Sequence, residues 1–310
     1  MTNFSVSIDV ECDMPDWKPK PIPTLENIKA IPKLHELFEK YDIKATYLVT
    51  YPVATETESV QILSELKKRN NCEIGAHFHP WTTPPISPLE IQQAIYPFQL
   101  TEDIHKIKLK NLTEAIIKSF KVHPKSYRAG RFGFDTIGLR IIKDLNYEID
   151  SSVTPLTNWA VDYRNSPLVP YYLDETNICS QAGSGILEIP VTIDLNFKYL
   201  KKFYLNLPEK FKGGLKYIGF KRVWLRPSYS SFNDMKKTSM KLIKKKCPIL
   251  NMMFHSSELT TSSSPFNRTQ KALNNFNTKL EEYFKFLKQN KIESQTLTEF
   301  KKENYLKRFS

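Results

Sequence analysis

Short apolar runs alternate with longer amphipathic stretches along most of the 310 residues. Residues 4–8 are the first such run and read as a strand. Pro15, Pro19, Pro21 and Pro23 then break regular structure and leave a loop at that strand's C-terminal end. Leu25, Ile28, Ile31, Leu34 and Phe38 recur at helical spacing, which predicts a helix over 24–41. The β-branched and aromatic run 44–50 predicts a second strand, Ile62, Leu63 and Leu66 a helix over 59–70, and 72–77 a third strand. Past the proline-rich loop 80–88 come a helix at 101–120, a strand at 126–129, a helix at 135–145 and a strand at 147–149. Residues 156–185 read as irregular; 186–189, 223–225 and 249–254 are strand candidates, and 270–289 is a long helix. Strands alternating with helices call for a parallel sheet. Polar residues gather after the strands' C-terminal ends, where barrels of this kind keep their active sites. The expected architecture is α/β: one irregular (β/α) barrel of distorted TIM-barrel type, a single catalytic domain spanning 1–310. No repeat and no Gly-x-Gly-x-x-Gly or Walker-type loop supports a nucleotide-binding alternative.

Composition changes this picture in two places. Hydrophobic residues make up 40% and aromatic ones 12%, as in an ordinary folded protein. No stretch approaches the roughly 18 uninterrupted apolar residues of a membrane span, and no basic and then apolar leader opens the chain; the expected location is cytoplasmic. Cys12, Cys72, Cys179 and Cys247 are far apart, so neither a disulfide framework nor a thiolate metal site is indicated. The net charge of +12 is concentrated: residues 196–246 hold 15 Lys and Arg against two acids, and the rest is close to neutral. A basic lobe within the barrel suits an anionic counterpart, such as a phosphate-carried substrate or the inner face of a membrane, though a solvated lysine-rich insertion has the same signature. Nucleic acid is not expected, because no recognised module or stacking platform accompanies the basic run.

Candidate chemistry centres on His77 and His79, two of six histidines, placed two apart at the end of a strand-like run. On extended backbone, positions i and i+2 share a face, so both imidazoles can aim at one point. Asp9, Glu11 and Asp13 form a similar period-2 set after the first strand. Two histidines and a carboxylate with open positions are a catalytic rather than a structural metal set. The same ligands serve non-haem Fe(II) oxygenases, which would call for an all-β rhythm that is missing here. A non-catalytic glycan- or membrane-surface protein working through 196–246 is a further alternative.

Five polar segments at strand ends extend this pattern: Ile8-Asp9-Val10-Glu11, Gly75-Ala76-His77-Phe78-His79-Pro80, Tyr127-Arg128-Ala129-Gly130-Arg131-Phe132, Ile149-Asp150-Ser151-Ser152 and Met253-Phe254-His255-Ser256. In order and character they resemble the motifs of the NodB-homology polysaccharide deacetylases (carbohydrate esterase family 4), over residues 4–259. Residues 44–50 are similar to that family's Lys-Ala-Thr-Phe-Phe-Val stretch. The resemblance implies removal of an N-acetyl or N-formyl group from an amino sugar in a glycan or glycan precursor, with a divalent ion, zinc by expectation, held by Glu11, His77 and His79. It implies Asp9 as general base and His255 as general acid, with Arg128 orienting Asp9 and Asp150 pairing with His255. Two departures stand out. Val10 separates the two carboxylates, which leaves base and ligand open between Asp9 and Glu11, with Asp13 a further candidate. The histidine motif is His-x-His, two residues shorter than the family's. Trp17, Trp81 and Trp159 could stack on sugar faces or pack in the core.

Overall fold

The computed structural model describes residues 2–20, 23–69, 71–86, 95–197, 201–208, 211, 212, 215 and 220–306. Its centre is β1 (Asn3–Val10), flanked by β10 (Ile249–His255) and β2 (Ala45–Val49). The sheet continues through β3 (Cys72–Phe78), β4 (Ser126–Ala129), β5 (Ile149–Asp150) and β7 (Leu187–Glu188) to β6 (Tyr171–Tyr172). Every neighbour in this eight-stranded order is parallel except β6, which runs antiparallel to β7 at the edge. Past β7 the chain leads into β8 (Ile193–Leu195), which pairs with β9 (Arg222–Trp224). The curl is tied shut from there: Thr192 N–H donates to the Asn251 carbonyl at 3.0 Å, and Met253 N–H to the Leu225 carbonyl at 3.2 Å. The sheet is thus a curled half-barrel within a mixed α/β fold, as the strand–helix rhythm leads one to expect.

The pleat explains where polarity goes. In β1, Phe4, Val6, Ile8 and Val10 are buried, and Phe4 meets Tyr283 and Phe284 of the covering helix α8 (Gln270–Gln289). The alternate residues Ser5, Ser7 and Asp9 are equally buried but belong to the opposite face, the barrel interior. Parallel register carries that face across the sheet, Asp9 beside His255 and His77 beside Arg128. The outer helices follow apolar periodicity, as in α1 (Ile31–Lys40), which buries Ile31, Leu34 and Phe38, and α4 (Glu102–Phe120), which buries Leu109, Leu112, Ile116 and Phe120. Each such side chain contributes roughly 1.5–3 kcal/mol by leaving water.

Most predicted elements are present with shifted ends, and the helix at 270–289 keeps both. The reading of 24–41 as one helix gives way to a 3₁₀ turn, Glu26–Ala30, followed by α1. The basic stretch 196–246 divides. Its later part, α7 (Phe232–Lys244), is a helix of the barrel wall that buries Met235, Thr238, Ser239 and Leu242 and meets α8 through Ser239 and the Tyr283 hydroxyl at 2.6 Å. Two of its ionic groups are paired, Lys241 with Asp194 and Asp234 with Lys221, both at 2.7 Å. Residues 198–200, 209, 210, 213, 214 and 216–219 lie outside the described residues. Among those described, no helix is long and apolar enough to cross a membrane.

Candidate metal centre and active site

Glu11, His77 and His79 come together at the C-terminal mouth of the barrel, all buried, with one ligand atom from each within 4.8 Å of the others. His77 ends the interior row of β3, and His79 keeps an extended backbone (φ −112°, ψ 126°), so period-2 geometry continues past the strand and delivers both rings to one side. That is how a His-x-His spacing suffices. His77 Nδ1 lies 3.1 Å from the Arg128 carbonyl, which can only accept; Nδ1 therefore carries a proton, and Nε2 faces inward. His79 Nε2 is 2.8 Å from Glu11 Oε2. Burial and the neighbouring His77 push the His79 ring down to about 4, so it is neutral at ordinary pH.

Asp9 and Glu11 are separated by their surroundings. Burial raises the Asp9 carboxyl, but Arg128, His77 and His255 outweigh it and hold Asp9 below the usual carboxylate range. Arg128 is itself fully buried, with its donors spent on Asp9 Oδ1 (2.7 Å), Ser7 Oγ (2.7 Å), the Ser151 carbonyl (2.7 Å) and Ser151 Oγ (2.8 Å). Asn251 joins the same network, bonding to Ser7 Oγ and Ser151 Oγ. Glu11 is surrounded instead by imidazoles, which together overcome the penalty of burial and keep it ionised. Its Oε1 is buried without a hydrogen-bond partner. An ionised oxygen with no donor, beside two inward-facing imidazoles, fits a divalent cation well.

Asp13 is not part of this set. It accepts from Glu26 N–H, Asn27 N–H and the Asn27 amide at 2.7–3.2 Å, fastening the loop to the 3₁₀ turn. Extended structure ends at Val10, so the alternation that unites Asp9 and Glu11 does not carry on to Asp13.

His255 reaches the site from β10, with Nε2 3.6 Å from Asp9 Oδ2 and 3.8 Å from Glu11 Oε1. Its expected pairing with Asp150 is corrected by the structure. Register places Asp150 beside Tyr127 and Glu188, on the outer face of the sheet, where it binds Ser152. One step of pleat separates it from the interior. The carboxylate on His255 is Glu258, whose Oε1 lies 2.9 Å from Nδ1 and accepts from the His255 N–H at 3.0 Å. Arg226 Nη2 donates to the same Oε1 at 2.6 Å, and Ser228 donates to Oε2. The Glu258 carboxyl is fully buried, yet Arg226 and His255 hold it down at about 2. The sequence signal was present in Glu258, three residues after His255 on the turn Ser256–Leu259. Arg226 carried none.

Above this floor lies a cavity of about 240 Å³ with Met14, Trp17, Tyr96, Phe132, Trp159 and Tyr229 in its walls. The rings form a nearly continuous rim: Trp17 stands 5.0 Å from His255 and 5.6 Å from Phe266, while Trp224 stands 5.5 Å from both Trp159 and Tyr229. Trp81 is buried behind His79 at 4.1 Å and supports that ring. Gly130 is needed at its place, since a Cβ there would sit 2.3 Å from His79 Nδ1.

No protein-family model and no curated protein matches the chain. Solved structures do. A chain from Parabacteroides distasonis, provisionally named a glycoside hydrolase/deacetylase, superposes with a TM-score of 0.66 at 12% identity, over 99% of this chain and 71% of that one. One from Mycobacterium smegmatis, provisionally named a polysaccharide deacetylase, gives 0.52 at 14%, over 96% and 94%. A 4-alpha-glucanotransferase from Thermococcus litoralis gives 0.53 at 12%, over 98% of this chain and 41% of that one. At these identities what is shared is the fold.

Proposed function

We propose that this chain is a metal-dependent hydrolase that removes an N-acetyl or N-formyl group from an amino sugar in a glycan or glycan precursor. One observation carries the proposal: Glu11, His77 and His79 meet in the same pocket floor as the Arg128-bound Asp9 and the Glu258-bound His255. The shared fold with chains named as deacetylases supports it. Glu11, His77 and His79 would hold a divalent cation, for which zinc suits this nitrogen and oxygen set, and it would supply Lewis acidity at the pocket floor.

The side chains divide the remaining work. Asp9, kept ionised by Arg128, takes a proton from the attacking water at Oδ2, the oxygen left free of the guanidinium. His255 presents Nε2 to the same space and protonates the departing amine, which leaves poorly as an anion. Glu258 fixes the ring from behind and stabilises the imidazolium. Water's oxygen joins the acyl carbon as the amide C–N bond breaks; one water proton goes to Asp9 and the other stays with the released acid. The amine takes its proton from His255, and the proton on Asp9 then passes to His255 to restore both groups. Aromatic walls suit the C–H faces of a pyranose.

The test is metal analysis of the purified protein followed by mass spectrometry of N-acetylated and N-formylated amino sugars. Loss of the acyl mass in the wild type, with a fall of at least about a thousandfold in His77→Ala/His79→Ala, is expected. Equal turnover by that variant would end the proposal.

A further inference from the structure

Among the described residues, the cavity wall holds one cation that is paired with no carboxylate. Arg128 is matched by Asp9 and Arg226 by Glu258. Arg131 also lines the cavity, yet among the described residues it has no carboxylate partner. One Nη donates to the Trp17 carbonyl at 2.6 Å, the guanidinium lies 5.3 Å over the Trp81 ring, and Nε is buried with no hydrogen-bond partner. Carbonyl and ring hold the fork in place without cancelling its charge.

The backbone shows that this placement is imposed. Arg131 has φ 54° and Phe132 φ 56°, two successive non-glycine residues in the left-handed region. An ordinary turn would use glycine there, and Gly130 and Gly133 flank the pair without occupying it. Left-handed backbone at a pocket wall persists where its surroundings over-determine it. Here the result is a half-buried guanidinium in the wall above the Glu11–His77–His79 floor. A cation filling that floor would leave the pocket still more positive, because Glu11 brings only one charge against two.

We propose that Arg131 is a specificity-determining residue that reads an anionic substituent, a carboxylate or a phosphate, on the acylated amino sugar. The assignment of an amino sugar rests on the function proposed above; the preference for an anion rests on Arg131 alone. A planar guanidinium, half-buried in the cavity wall and held in place at one Nη, is suited to either group.

Calorimetry on the metal-loaded protein with N-acetylglucosamine, its 6-phosphate and N-acetylmuramic acid separates the two sources of charge. The expected result is binding of at least one anionic sugar about tenfold tighter than the neutral one. Arg131→Gly removes the fork while easing the left-handed backbone, so it is not expected to unfold the protein; its anion preference should fall to within about twofold of none. Arg131→Lys should retain part of it, since the charge remains but the fork does not. Equal binding of all three sugars by the wild type, or a preference that survives in Arg131→Gly, overturns the proposal. Deacylation of the same sugars is followed in parallel. A preference for anions with no acyl group released would refute the deacylase assignment and leave the role of Arg131 standing.

Discussion

Replacing Glu258 by Gln preserves shape and removes one buried charge. Its Oε1 gathers the His255 N–H, His255 Nδ1 and Arg226 Nη2 within 2.6–3.0 Å, and the carboxylate is fully buried. In Glu258→Gln the carbonyl oxygen can still accept, but Arg226, only 3% exposed, loses its counter-charge. Breaking a buried pair from one side costs about 3–5 kcal/mol. Titration leads to the same size. The folded carboxyl sits at about 2, against about 4.3 for an unfolded Glu, and two pH units correspond to about 3 kcal/mol. Because the folded value is the lower one, the unfolded chain binds more protons between the two. The stabilisation is therefore complete above about pH 4.5 and is lost as pH falls through about 2. Urea unfolding at pH 7 should show Glu258→Gln less stable by about 3 kcal/mol, with the gap narrowing at pH 3. Arg226→Met/Glu258→Gln should recover to within about 1 kcal/mol of the wild type, since removing both charges removes the unpaired one. Purely additive losses from the two single changes, or a pH-independent gap, would refute the reasoning.

Two further outcomes test the site directly. Asp9→Asn should bind metal at the wild-type ratio while kcat falls by about 10²–10⁴; loss of metal in this variant would make Asp9 a ligand rather than the base. Gly130→Ala places a methyl group 2.3 Å from His79 Nδ1 and 2.6 Å from the Phe78 carbonyl, so metal affinity measured by competition with a chelator should fall by about 10–100-fold, and unchanged affinity would show that the ring relocates freely.

Much of the architecture could be read from periodicity. The interior row Ser5, Ser7, Asp9 and the pair His77, His79 announce themselves because strand parity is local and strict. Asp150 shows the limit of that signal. Its strand is two residues long, too short for alternation to say which face is inward, and only pairing with β4 and β7 decides it. Asp13 leaves the alternation because its loop turns the carboxylate onto the Glu26 and Asn27 N–H groups, a contact that strand parity does not announce. The helix Phe232–Lys244 is masked by its lysines: its buried residues keep helical spacing, but the charge run dominates the composition of that stretch. Arg226 and Glu258 are 32 positions apart and meet only through the return of β10. Arg131 owes its position to two backbone angles that composition does not reveal.

The polar thread through the barrel has a consequence for assembly. Arg128 comes from β4, Ser7 from β1, Asn251 from β10, and Ser151 from just beyond β5. The histidine couple and Glu11 need only β1 and β3 as neighbours of β2, all supplied by the first 79 residues. Asp9 acquires its guanidinium later in the chain, and that guanidinium is anchored by groups from both ends of the polypeptide. A nascent or clipped chain thus holds Glu11, His77 and His79 early, while the network around Asp9 is complete only with the final strand. Under the proposed function, activity would report completed folding, since β10 delivers both the amide that steadies the arginine network and the imidazole that faces Asp9.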